Sequence, residues 1–493
     1  MQLELSQSRF FSQKGENQMF VYTLKLNPNQ NQVHQLEKRF KMAQHIYKRT
    51  LGEIIKRTKK QQKDPLYKKA YKLPKGKKRN QILKDLDIKY DLQGKFTFSK
   101  YANDFRNIQG YAPYIPSDVA GKLGIRAWET YSKVKFAKGA KKINFHSDLT
   151  SFEAKNDNGI TIRNGILKIG TKHAKLEIPV IYKNDQYEIE ALSSTFKFNR
   201  IVRRFEFGQW NYYVQMIFDG NPPQKLKKPL DTAVGIDIGT STIATSSIYQ
   251  TDLLELAPNI DQKTAEIRRL QRKLDRQRRA NNQQNYNEDG TIKKGRKEWH
   301  ESKRYSKTKA HLNNLKRKQA QQRLLSHKTL ANNIVQQGNR IIVEQMSFKG
   351  LQAKAKNTEI SEKTGKFKRK KRFGKTIAHK APSLLINQIK YKAEFLGSTF
   401  ITANTQKVKA SQLDHVTGLY NKVGLSTRTK TVDNQLVQRD LYSAFLLQHV
   451  EDDGVTVNLK ECDADFDAFI RNQDWTMQHL DTKLLSTGKS KFE

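Results

Sequence analysis

Three carboxylates interrupt segments that otherwise read as buried. Asp237 sits inside the apolar run "TAVGIDIGTSTIATSS" (232–247), Glu344 closes "RIIVEQM", and Asp440 opens "RDLYSAFLL". A single acid at an element end is most simply a cap or a hydrogen-bonded carboxylate. Three such acids in one half of the chain point instead to convergence. Gathered together, they would need protonation or cations to relieve their repulsion. An all-oxygen ligand set selects a hard ion, Mg²⁺ or Mn²⁺. A pair of such ions can hold a phosphodiester in line, activate a water and stabilise the departing oxygen.

Composition names a matching substrate. The chain has 493 residues, with 92 Lys and Arg against 48 Asp and Glu, a formal charge of +44. That excess exceeds what solubility requires and implies a polyanionic partner. No apolar run approaches the ~20 residues that span a bilayer. The opening "MQLELSQSRFFSQKGENQ" lacks the apolar core of a secretory signal, so no membrane partner and a cytoplasmic location are expected. The lone cysteine, Cys462, excludes an internal disulfide and any multi-cysteine zinc site.

The elements that would position the acids follow from periodicity. "MFVYTLKL" reads as a strand, and Val33, Leu36, Phe40, Ala43, Tyr47, Leu51 and Ile54 form the stripe of a following helix. Residues 57–95 are Lys-rich and read as irregular, and Val119, Leu123, Ala127, Tyr131 and Val134 mark another helix. From about 140 the period changes to two; Asn164-Gly165 is a strong hairpin signal, and a second turn is expected around Gly208-Gln209. "NPPQKLKKPL" is a linker. Beyond it, "TAVGIDIG" and "STIATSSIY" form a hairpin, and 262–337 is a basic helical segment broken by a polar loop, with Ile267, Leu270 and Leu274 as its narrow apolar seam. "NRIIVEQM" is a strand, "SLLINQIKYKAEFLGSTFITAN" a helix then a strand, and "DNQLVQRDLYSAFLLQHV" a helix carrying Asp440. The acid-rich C-terminal tail reads as a solvated extension.

"GIDIG", "IIVEQM" and "QRDLYSA", in that order, resemble the split segments of a RuvC nuclease domain, an RNase H-like fold. More specifically, the chain resembles TnpB, the transposon-encoded RNA-guided nuclease family related to small type V CRISPR effectors. "YTLKLNPNQNQVHQLEKRFKMAQHIYKRTL" is similar to the family's opening strand and helix, "IRRLQRKLDRQRR" to its basic helix, and "LLINQIKYKAEFLGSTFI" to the helix and strand before its zinc module. The likeness covers most of residues 19–450, and the order of the motifs carries it. It implies a multidomain α/β protein: a flexible leader (1–18), a β-barrel wedge domain (19–32 and 137–228), an inserted helical recognition lobe (33–136), a RuvC domain (229–400 and 431–455), a target-nucleic-acid-binding module (401–430) and an acidic tail (456–493). It assigns catalysis and Mg²⁺ binding to Asp237, Glu344 and Asp440. It also implies a guide RNA from a transposon end or a CRISPR array, a double-stranded DNA target with a short flanking motif, and a monomeric ribonucleoprotein.

Two departures qualify the resemblance. Relatives commonly carry two Cys-x-x-Cys pairs before the last catalytic Asp, whereas "KASQLDHVTGLYNKVGLSTRTKTVDNQLVQRD" has no cysteine, and Asp414 with His415 cannot close a tetrahedral site. No zinc is therefore expected. Many relatives also have an acid at the position of Gln438 and Asn at that of Tyr442.

Basic rows are the expected nucleic-acid contacts: Arg268, Arg269, Arg272, Lys273 and Arg276, then Lys368, Arg369, Lys370, Lys371 and Arg372 within "FKRKKRFGK". Trp299 and Tyr305 either stack bases or pack in a core. Rival readings are a nuclease-inactive RNA-guided repressor and a guide-free transposition accessory. "GIDIGTST" also resembles the phosphate loop of actin-like ATPases and sugar kinases, but "EDGT" at 288 and "DDGV" at 452 do not fit as the second loop those enzymes need.

Overall fold

The computed structural model describes residues 19–136, 143, 148–155, 159–171, 174–206, 208–223, 227–353, 360, 362, 373–422, 424 and 427–480. The expected leader, 1–18, and the basic run 368–372 lie outside the described residues. The protein is mixed α/β and divides into two compact units at Lys225/Leu226.

The first unit pairs a helical layer with an antiparallel sheet. Strand β1 (Met19–Leu26) leads into α1 (Gln30–Lys63), followed by α2 (Pro65–Lys72), α3 (Lys77–Lys89), α4 (Lys95–Ile108) and α5 (Ser117–Phe136). Strands β2 (Ser151–Lys155), β3 (Ile160–Arg163), β4 (Ile166–Ile169) and β5 (Leu176–Ile181), helix α6 (Gln186–Leu192), and strands β6 (Phe196–Glu206) and β7 (Gln209–Asp219) complete it. The strand order is β2-β6-β7-β1-β5-β4-β3. The sheet curls until it nearly closes: Asn199 Nδ2 on β6 donates to Ile160 O on β3 at 3.0 Å.

A capping box starts α1, with Gln32 N donating to Asn29 Oδ1 at 2.9 Å and Asn29 N to Gln32 Oε1 at 2.7 Å. Its stripe then enters the sheet's core, where Leu36, Phe40 and Ala43 meet Phe152, Ile201 and Val214. The Asn164-Gly165 turn forms as expected, both residues at positive φ (50° and 73°) between paired Arg163 and Ile166. The second turn falls one residue earlier than expected, since Gln209 is already paired with Glu206. Residues 57–95 are mostly helical, not irregular: the end of α1, then α2 and α3, with short breaks between them. Thr58 and Gln61 extend the buried stripe of α1, and Asp64 caps α2 through Leu66 N at 2.9 Å.

The second unit holds a five-stranded sheet, order β10-β9-β8-β11-β12. The hairpin β8 (Ala233–Ile238) and β9 (Thr242–Ser246) continues into β10 (Thr251–Glu255). Helices α7 (Thr264–Ala280) and α8 (Lys303–Gln337) precede β11 (Arg340–Glu344). Then come α9 (Phe348–Leu351), α10 (Gly374–Lys380), α11 (Pro382–Phe395), β12 (Thr399–Ala403) and α12 (Thr405–Val408). The described residues end with the hairpin β13 (Thr429–Val432) and β14 (Gln435–Gln438), α13 (Arg439–Gln448) and α14 (Leu459–Gln478). Strand β11 runs parallel to both β8 and β12, while β9 runs antiparallel to β8.

Two expectations about the C-terminal region are corrected. The segment "DNQLVQ" is not helical: Asp433 and Asn434, both at positive φ, turn β13 into β14, and the helix starts only at Arg439. Nor is the acidic tail a solvated extension through residue 480. Cys462, Phe466, Phe469 and Met477 of α14 are buried with Phe445 and Leu446 of α13. Acidic residues on its outer face had concealed this helical stripe.

Candidate active site

Strand alternation decides which face each acid occupies. Val234, Ile236, Ile238, Ile341 and Val343 face a core shared with α8 and α11, including Ile334, Leu385 and Ile389. Gly235, Asp237, Ile342 and Glu344 therefore face the other way, where Ile342 packs with Leu441 and Ala444 of α13. Val343 pairs with Ile236 in the parallel register, so the next step places Glu344 beside Asp237 on one face. Neighbouring strands lie about 4.8 Å apart. The two acids thus stand side by side at the C-terminal ends of adjacent parallel strands, the usual ligand position of open α/β sheets.

The third acid arrives on α13, whose direction is fixed at several points. Gly235 lets the helix backbone approach so closely that a Cβ there would lie 1.9 Å from Ala444 O and 2.3 Å from Gln448 N. Ser246 Oγ donates to Gln448 Oε1 at 2.9 Å, and Arg340 Nη2 to Val450 O at 2.7 Å. The helix therefore runs against β8. Two residues of strand rise about 6.6 Å and four residues of helix about 6 Å. Going from Gly235 to Asp237 and from Ala444 to Asp440 covers similar ground in the same direction, so all three acids lie at one end of the sheet.

Asp440 sits in the first turn of α13, where the helix dipole favours negative charge. Gln438 caps that turn through Leu441 N at 2.7 Å, which gives the unexpected Gln a structural task. The Asp440 carboxylate is turned toward guanidinium groups, Arg439 Nη2 at 3.3 Å and Arg428 Nη1 at 3.8 Å. Arg439 is itself held by Thr427 O at 3.0 Å. Among the described residues, no group of three or more His, Cys, Asp or Glu is gathered closely enough to hold a metal ion. The acids share an end of the sheet, but Asp440 faces arginines.

Glu344 is electrostatically different. Burial alone pushes its pKa up, with no cation or hydrogen-bond donor offsetting it among the described residues. Because the raised pKa means the fold binds the proton better than the unfolded chain does, stability declines as pH rises through the window between the two values. Glu344→Gln is thus expected to raise the thermal midpoint above that window and to leave it unchanged at acid pH. Melting curves across pH check this, and equal midpoints at high pH would count against it.

Other expected site residues separate clearly. Ile267 and Leu270 of α7 pack on Leu312 and Leu315 of α8, with Leu274 beside them, the seam read from the sequence. Arg268, Arg269, Arg272, Lys273 and Arg276 are all exposed on the rest of the helix, and no ion pair involves them among the described residues. Arg278 and Arg279, by contrast, both pair with Asp275 at 3.0 Å. Trp299 is 40% exposed, edge-on to Tyr286 and near Arg278; Tyr305 lies within 5.6 Å of Lys309 Nζ. His415 is 2% exposed, its Nδ1 2.6 Å from the Tyr442 hydroxyl and its ring among Phe445 and Phe466. This places it in the packing between α13 and α14.

No family model matches the chain, and no curated protein matches it. Among solved structures it is similar to a Cas12f1–sgRNA–target DNA complex, at 13% identity over 84% of this chain and 82% of that one, with a TM-score of 0.47. It is also similar to a CRISPR-Cas12f ternary complex (11%, 87% and 83%, TM-score 0.28) and to a Cas12i1 R-loop complex after target DNA cleavage (10%, 91% and 65%, TM-score 0.28).

Sequence reasoning singled out the three acids at their element ends but missed the residues around them: Gly235, Arg428, Arg439 and the cap at Gln438. Only Gly235 left a readable signal, since a glycine inside a strand marks a close backbone approach. Among the described residues, no helix is long and apolar enough to cross a membrane.

Proposed function

We propose that the protein is an RNA-guided DNA endonuclease of the RuvC type. The observation that carries this reading is the placement of Asp237, Glu344 and Asp440 at one end of the second unit's sheet, in a chain of charge +44. The donors fit a hard divalent cation in kind: all are carboxylates, and the buried charge of Glu344 lacks the compensation a cation would give. Mg²⁺ or Mn²⁺ held by these residues would activate a water and neutralise the departing oxygen. Release of Asp440 from Arg428 and Arg439 would turn it toward the other acids. The guide RNA comes from a transposon end or a CRISPR array and pairs with one strand of a duplex bearing a short flanking motif. In this reading the near-closed β-sheet is the wedge domain, α1–α5 form the recognition lobe, and the complex is a monomeric ribonucleoprotein.

The test is to purify the full chain with the RNA it retains, sequence that RNA, and supply duplex DNA matching it. Mg²⁺-dependent cleavage at a fixed position, lost on chelation, is expected. Absence of any retained RNA of defined length would overturn the guided reading in favour of a guide-free DNA-binding protein. A second reading, guided binding without cleavage, draws on the Asp440 pairing with Arg428 and Arg439. Tight, matched binding with no cut product would establish it.

The exposed cations of α7 would hold nucleic-acid backbone. Replacing Arg268, Arg269, Arg272, Lys273 and Arg276 by Ala is expected to weaken binding most at low salt. The slope of log affinity against log salt should become shallower by about 0.7–0.9 for each phosphate that is no longer neutralised. Titrations at several salt concentrations measure this, and an unchanged slope would remove α7 from the interface.

A further inference from the structure

A cavity of about 670 Å³ opens at the C-terminal ends of β11 and β12, starting at the residue after Glu344. Gln345, Met346, Phe348, Lys349, Ser383 and Gln406 contribute to its lining, and among the described residues no acidic side chain does. Its walls are tied together: Gln345 N donates to Ala403 O at 2.9 Å, the Thr405 hydroxyl donates to Gln345 O, and Asn404 Oδ1 accepts from Gln406 N at 3.0 Å. The lining thus joins amide groups, which both donate and accept, to a lysine and to an apolar wall offered by half-buried Met346, behind which Phe348 is packed into the core.

We propose that this cavity holds one unpaired nucleotide of the cut strand, with its base inside and its phosphate directed toward the acids. The proposal rests on the nuclease reading above and deepens it by fixing where the strand lies next to the scissile bond. Amide side chains match the mixed donor and acceptor edge of a nucleobase, and an apolar wall can lie against its face. Lys349 suits a flanking phosphate, and the described lining residues bring no acid to oppose a polyanion. The volume falls within the ordinary range for small-ligand sites, enough for a base and sugar but too small for a duplex. A base-paired nucleotide would also have its edge occupied already. Adjacent residues are 3.8 Å apart at Cα, so a strand with one phosphate at Glu344 reaches the cavity with its neighbouring nucleotide.

The experiment uses the full chain with its retained RNA, in an Asp237→Ala background so that nothing is cut. Fluorescent single-stranded oligodeoxynucleotides carry one abasic site, moved a position at a time. One position is expected to lose roughly 5-fold or more in affinity, the scale on which loss of a base-edge hydrogen bond falls. Two separate variants, Ser383→Trp at the cavity wall and Gln345→Ala with Gln406→Ala, should each flatten that dip. A flat scan before any cavity substitution overturns the proposal, as does a dip that survives both variants. If the unmutated chain cleaves and the scan is flat, the cavity assignment alone fails. If a dip is found in a chain that never cleaves, the nuclease reading alone fails.

Discussion

Asp237→Ala is expected to reduce cleavage of matched DNA by a factor on the order of 10³ or more, the scale on which removal of one member of a cooperating catalytic set falls. The reason lies in its position. Asp237 stands beside Glu344 on the face that receives α13, so it is the acid able to face both of the others. Binding should hold or tighten, because the removed carboxylate repelled phosphate. Cleavage assays and binding titrations on the same preparation separate the two effects. Unchanged cleavage by the variant with saturating guide would remove Asp237 from the site, while parallel loss of cleavage and binding would indicate damage to the fold.

The second large effect is expected at Gly235. An alanine Cβ there would lie 1.9 Å from Ala444 O and 2.3 Å from Gln448 N. Both obstacles are backbone atoms, so no side-chain rotation relieves the clash, and strand or helix must move. Overpacking costs about 1–3 kcal/mol, occasionally more, and this case belongs at the upper end. Activity should fall as well, since the displaced helix carries Asp440. Gly52→Ala is the matched control: nothing lies within 4 Å of its Cβ position inside α1, so a gain of about 0.5–1 kcal/mol is expected. Denaturant midpoints and cleavage rates for the pair test the argument. Equal stability at Gly235 would mean that helix and strand do not touch there.

The acids were legible because each one breaks a strong local pattern. Asp237 interrupts an apolar strand, Glu344 ends one, and Asp440 opens a helix, so their types and places needed no tertiary information. The Asn164-Gly165 hairpin was legible for the same reason, its conformation being set by adjacent residues. The β13–β14 hairpin was not. Each strand has four residues with few apolar positions, and Asp433 reads equally well as a helix start. Helix α14 was hidden by composition: its acids dominate a charge count, while Cys462, Phe466, Phe469 and Met477 keep a helical period beneath them. The pairing of Asp440 with Arg428 and Arg439 was out of reach, because it depends on β13 lying beside the start of α13.

The chain order of the sheet and of the helix that closes it has a bearing on synthesis. Strands β8 and β11 leave the ribosome well before α13, and α14, which covers α13, follows later still. A polypeptide arrested between residues 344 and 440 carries two of the acids and lacks both the third and the helix that brings it. On the proposed reading, an unfinished copy is unable to cut, and competence comes only with α13 and the helix that covers it.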